Sequence, residues 1–177
     1  NNISNLVFNQ LPELTQLRFG NNLLSDLDFS SMTKLSILEC PVNQFESLDL
    51  ASNPLLSVLD CSANSLFDLD LSANTKVSFL NCADNLLNTI DVLMLDDLIE
   101  FDCSNNTLAS IDLLGLNELS VFNCSSNLLT DLDLSTNTGL TELDCSVNEI
   151  EELNIKNGQE HEVLDFSQNI SMTAVCV

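Results

Sequence analysis

Three kinds of side chain in this sequence have types and spacing that suggest chemistry: a column of thiols, a column of carboxylates and a lone imidazole. Six of the seven cysteines, Cys40, Cys61, Cys82, Cys103, Cys124 and Cys145, recur every 21 residues. Metal-binding cysteines usually come in pairs a few residues apart, and no Cys-x-x-Cys is present. Thiols on successive parallel strands all point the same way, which suits a disulfide poorly. The spacing therefore predicts a packing role, in which a buried Cys acts as a small apolar residue. Cys176 stands outside the column and is expected in the core as well.

The carboxylate column is Asp28, Asp49, Asp70, Asp91, Asp112 and Asp133, with Asp26, Asp68 and Asp131 two residues earlier on the expected same face. Stacked at a coil spacing of ~4.8 Å, neighbours would repel by ~1 kcal/mol in water and by more near apolar surface. Hydrogen bonds from loop N–H groups and Ser hydroxyls, raised pKa values or bound cations would offset this. Local hydrogen bonding is the favoured reading. Calcium is the alternative, carried by charge alone, since neither an EF-hand loop nor a Gly-rich calcium nonapeptide is present. His161, the lone histidine, falls where the repeat expects Leu. Glu160 and Glu162 would alternate to other faces of a strand, so no acid–base dyad is expected and His161 reads as a degenerate repeat position.

These columns are parts of one repeating unit. Asn follows three residues after each Cys position, at Asn22, Asn43, Asn64, Asn85, Asn106, Asn127, Asn148 and Asn169, with Asn1 in phase and Phe19 and Phe166 extending the Cys row. From Leu56 the unit reads LxxLDCSxNxLxxLDLSxNxx, two similar halves in which Leu-Asp-Cys and Leu-Asp-Leu alternate with the period of a short strand. The Asn side chain is expected to face inward, bonding loop backbone groups that would otherwise be buried unpaired.

The first half, seen at Leu56, Leu59, Cys61, Asn64 and Leu66, resembles the LxxLxLxxNxL segment of leucine-rich repeats. The whole unit is similar to the bacterial 21-residue class with nested periodicity. That resemblance implies a β-rich solenoid over residues 1–177. It would be a right-handed superhelix of about eight repeats in one domain, with a parallel sheet on the concave side, short extended segments on the other, and little or no α-helix. It also implies a protein-binding module of a bacterial cell-surface or secreted protein. Elementary packing agrees: one coil cannot bury its apolar edge, whereas stacked coils set Leu on Leu and Cys on Cys.

Composition bounds the partners. The chain has 27 acidic and four basic residues, a formal charge of -23, which repels nucleic acid and anionic membranes. No apolar run is long enough to span a bilayer, so no membrane insertion is expected. With no Trp or Tyr there is no platform for stacking on sugars. No cofactor is expected, and an enzyme of the β-helix lyase kind finds no basic cluster beside the acids.

The candidate partner surface is the pair of variable columns flanking the second Leu of each first half. It comprises Ile37, Glu39, Val58, Asp60, Phe79, Asn81, Glu100, Asp102, Val121, Asn123, Glu142 and Asp144. Ile37, Val58 and Phe79 would form an exposed apolar strip with an acidic border, suited to a protein offering apolar anchors among basic groups. Leu95 and Leu116, which replace the second Asn of their repeats, mark mid-chain turns as a second place for contact. The rival reading is a structural spacer or adhesin stalk, calcium-stabilised through the Asp ladder. Because both termini fall inside a repeat without polar caps, the chain is expected to be a fragment or to pair end to end with a second copy.

Overall fold

Each first half forms a strand of three residues whose central apolar side chain points into the core, because longer extended runs are cut off by the Asn-containing turn. The computed structural model describes all of residues 1–177. In chain order the strands are β1 (Gln16–Arg18), β2 (Ile37–Glu39), β3 (Val58–Asp60), β4 (Phe79–Asn81), β5 (Glu100–Asp102), β6 (Val121–Asn123), β7 (Asp131–Asp133), β8 (Glu142–Asp144), β9 (Glu152–Asn154), β10 (Val163–Asp165) and β11 (Ala174–Cys176). There is no helix, and thus none long and apolar enough to cross a membrane.

Eight strands build one parallel sheet in the order β1-β2-β3-β4-β5-β6-β8-β10, each in register with the equivalent residues of the next coil. The second halves pair only toward the C-terminus, where β11, β9 and β7 form a three-stranded parallel sheet. In the earlier coils the second halves run alongside one another without ladder bonds, so the eight-stranded face is the more tightly paired side of the solenoid. Between the two faces lies one continuous core of stacked Leu, Phe and Cys side chains. It includes the stacked pair Phe101–Phe122, with ring centroids 5.4 Å apart.

The asparagine column ties the coils together. Asn106 Nδ2 donates to the carbonyls of Cys103 and Ser104 in its own turn and of Cys82 in the preceding coil, while its Oδ1 accepts from Leu87 N–H at 2.9 Å. Asn64, Asn85, Asn127 and Asn148 make the same four bonds. Most members are buried as expected, although Asn43 and Asn64 are only half-buried. The residue before each Asn is held in the left-handed region, including the β-branched Val42 (φ 56) and Val147 (φ 55). Such residues avoid that conformation, at a cost of about 1–3 kcal/mol, so the amide bonds must hold the turn against it.

A second column, Asn53, Asn74 and Asn137, is wholly buried and donates to two carbonyls of the preceding coil, but each Oδ1 has no partner. Leu95 and Leu116 take this place in the two intervening coils and are themselves buried. Losing the two donor bonds is partly offset there by removing an unpaired buried acceptor. A third column was not read from the sequence. Ser36, Ser57, Ser78, Ser120 and Thr141 each donate their hydroxyl to the carbonyl of the equivalent residue one coil back.

Burial depends on having a neighbouring coil. Leu164 and Phe166 are 36% and 37% exposed, although their counterparts Leu143 and Cys145 are buried, because nothing stacks on the outer side of the last first half. Asn106→Ala is expected to destabilise the fold by about 1–3 kcal/mol by orphaning Leu87 N–H and the bonded carbonyls. Asn74→Leu, which repeats the exchange already present at Leu95, should cost less; urea unfolding of both variants checks the difference.

Candidate functional site

The outer face of the eight-stranded sheet is built from the first and third residues of every strand, since the second points inward. Strand register sets Ile37 beside Val58 and Val58 beside Phe79, followed by Glu100, Val121 and Glu142. The companion column runs Glu39, Asp60, Asn81, Asp102, Asn123 and Asp144. All twelve residues thus share one surface. The apolar strip is less open than the sequence suggested: Ile37, Val58, Phe79 and Val121 are half-buried by their same-face neighbours, and Glu100 is the exposed member of the set. Around it, Phe79, Asn81, Asp102, Val121 and Asn123 line a shallow depression of about 240 Å³.

The companion column also has a structural task that the sequence reading missed. Asp60 Oδ1 accepts the backbone N–H and hydroxyl of Ser62 at 3.1 and 2.7 Å. Asn81, Asp102, Asn123 and Asp144 likewise accept the N–H two residues on. The second oxygen of each Asp is not used in that turn. From β3 to β8 Asp and Asn alternate, which separates the charges by two coils, and Asn123 Nδ2 reaches Asp102 Oδ2 at 3.3 Å; on β10 Asp165 then follows Asp144 directly. At the start of the column Arg18 neutralises Glu39 through an Nε–Oε2 contact of 2.8 Å. The signal that could have revealed this role is the Ser or Ala two residues after each Asp or Asn, the signature of an Asx turn.

On the second halves the Asp ladder follows the same logic. Asp28, Asp49, Asp70, Asp91, Asp112 and Asp133 each accept the backbone N–H two residues on, at 2.8–3.2 Å. The Ser30 hydroxyl and N–H hold Asp28 below its ordinary pKa, and the Ser72 N–H and hydroxyl do the same for Asp70. Ser135 similarly lowers Asp133. The charge is offset by local hydrogen bonds, and the resolved shifts run downward where a raised pKa had been one of the alternatives. No three His, Cys, Asp or Glu side chains converge as a metal site would require.

His161 is half-buried in the Leu position, with neither ring nitrogen hydrogen-bonded and Glu160 and Glu162 exposed on either side. It has no partner with which to act as an acid or base.

The six column thiols are free and buried. Burial, with Asp60 adding to it, pushes the Cys40 thiol up to about 12. Burial with the charges of Asp144 and Asp165 does the same for Cys145, also to about 12. Burial raises the other four as well. Cys176 corrects the sequence expectation: it is exposed on β11, an edge strand of the second sheet, where no further strand covers it.

No protein-family model matches the chain, and no curated protein matches it in sequence. Solved structures do. The functional domain of InlJ from Listeria monocytogenes, which includes a cysteine ladder, is similar over 98% of this chain with 27% identity and a TM-score of 0.70. YopM from Yersinia enterocolitica WA-314 is similar over 100% with 26% identity and a TM-score of 0.79. A chain of the LRIM1/APL1C complex is similar over 93% with 25% identity and a TM-score of 0.71. This chain spans only 48%, 42% and 36% of those three.

Thiolates are the reactive form of cysteine, so the burial pattern sets reactivity. In the native chain at mildly alkaline pH, iodoacetamide should modify Cys176 alone, and denaturation should release the other six. Mass spectrometry of the labelled peptides reads the outcome.

Proposed function

We propose that this chain, whose solenoid fold is that of the leucine-rich repeat structures it resembles and whose repeats are 21 residues long, is a non-enzymatic scaffold that presents the outer face of its eight-stranded sheet to a protein partner. The observation that carries this reading is the register-adjacent strip Ile37, Val58 and Phe79 with acids beside it. The scaffold uses the inward residue of each strand and the turn-bonding Asp or Asn after it, so apolar choices at the first, outward position call for another use. Their partial burial leaves a low-relief apolar surface rather than knobs, suited to receiving anchors from a partner.

The partner carries apolar groups flanked by Lys or Arg. Glu100, Glu142 and the carboxylates of Asp60, Asp102 and Asp144 would steer such a partner in and repel acidic competitors. The LRIM1/APL1C complex is an instance of a similar solenoid in a protein assembly. The bacterial sources of InlJ and YopM support a bacterial protein, and we place it at the cell surface or among secreted proteins. The stalk reading loses its main support once the Asp ladder is satisfied by its own turns.

The test is retention of proteins from host and bacterial surface extracts on immobilised chain, against Val58→Thr/Phe79→Thr, which keeps charge and strand propensity. A protein held by the native chain should be held about tenfold more weakly by the variant, a loss of ~1.4 kcal/mol. Equal retention by two chains with matching circular dichroism would remove the sheet face as the binding surface.

A further inference from the structure

The repeat supplies its own control for what the scaffold requires. At the outer corner of each second half, the residue two after the ladder Asp is Ser30, Ala51, Ser72 or Ser135 in four coils, but Leu93 and Leu114 in the two central ones. The next position is Ser31, Ser52, Ala73 or Thr136 in those four coils and Met94 in one central coil. Both turns keep the bond to the ladder Asp, with Asp91 and Asp112 each accepting the N–H two residues on at 3.0 Å, although the second turns through Gly115 at positive φ (87), so that bond does not require the apolar exchange. Nor are the side chains tucked away: Leu93, Met94 and Leu114 are 39%, 62% and 66% exposed.

Leu93 and Leu114 stand at equivalent places in consecutive coils, so they are neighbours on the surface. Met94 and Asp91 line the groove between coils, together with Ile90, Asp68 and Asp70. Charge changes at the same corner. The column reads Glu13, Lys34, Leu55, Lys76, Asp97, Glu118 and Gly139, so acids stand beside the apolar corner residues, with Asp96 next to Asp97. Only the two central coils combine an apolar corner with an acid in this column.

We infer that Leu93, Met94 and Leu114 form a second docking surface, away from the eight-stranded sheet, for a cationic amphipathic segment of a protein partner. Two or three apolar anchors would sit on the Leu and Met side chains, and Lys or Arg groups would meet Asp91, Asp96, Asp97 and Glu118. The site is independent of the sheet face and stands or falls separately from it.

The probe is a fluorescein-labelled Leu/Lys peptide of helical periodicity, titrated by fluorescence anisotropy against Val58→Thr/Phe79→Thr, which removes the sheet face as a competing site, and against the same chain carrying Leu93→Ser/Leu114→Ser as well. The added pair installs the residue already present at Ser30, Ser72 and Ser135 and keeps the net charge. The expected result is about tenfold weaker binding once Leu93→Ser/Leu114→Ser is added. No binding to the sheet-face variant, or unchanged binding on adding Leu93→Ser/Leu114→Ser to it, would overturn the inference. So would equally tight binding of a Lys/Gly peptide of the same charge, which would reduce the attraction to net charge.

Discussion

Every coil of this solenoid has a sharp turn whose backbone carbonyls and N–H groups face a dry core, and one side-chain amide satisfies them. The inward Asn spans two levels, bonding its own turn with Nδ2 and the preceding coil with both Nδ2 and Oδ1. A buried polar group left unpaired costs more than its bond contributes when made, so this arrangement is held firmly by the penalty for breaking it. It fixes the turn, tolerates Val at a left-handed position, and sets the register in which Leu stacks on Leu and Cys on Cys. Thiols suit that core because they fill a small apolar space and, once buried, stay protonated.

A scaffold held from within leaves its outward columns open to variation, subject to electrostatics. A net charge of -23 on stacked coils would be costly if every charge met a like neighbour. The sheet face alternates Asp with Asn from β3 to β8, roughly doubling the separation of charges there to ~10 Å and halving their repulsion. On the second halves, turn N–H groups absorb the charge of the ladder, and Ser hydroxyls lower the Asp pKa values further. On the sheet face too a carboxylate holds its turn: Asp60 Oδ1 accepts both the N–H and the hydroxyl of Ser62.

What was legible in the sequence was whatever repeated. The Cys and Asn columns, the strand positions and the parallel register follow from a strict period, because stacking forces equivalent residues into equivalent surroundings. Cys176 was misplaced because inward direction is local whereas burial needs a covering coil. The degree of exposure of Ile37, Val58 and Phe79 was overestimated for a related reason: neighbouring coils shade one another's outer side chains. The turn role of Asp60, Asp102 and Asp144 escaped notice since their turn bonds depend on backbone direction. The mid-chain corner was noticed at Leu95 and Leu116, which prove to be buried, while the exposed apolar surface lies on Leu93, Met94 and Leu114.

The coupling of coils through the Asn amide is tested most directly by hydrogen exchange at the N–H groups of Leu66, Leu87, Leu108 and Leu129, whose acceptor is the Asn Oδ1 of the following coil. The account predicts that these four amides exchange as slowly as the strand amides of the eight-stranded sheet, opening only when coils separate. Exchange as fast as that of the exposed corner amides would contradict it, and would show that apolar stacking alone holds the coils together.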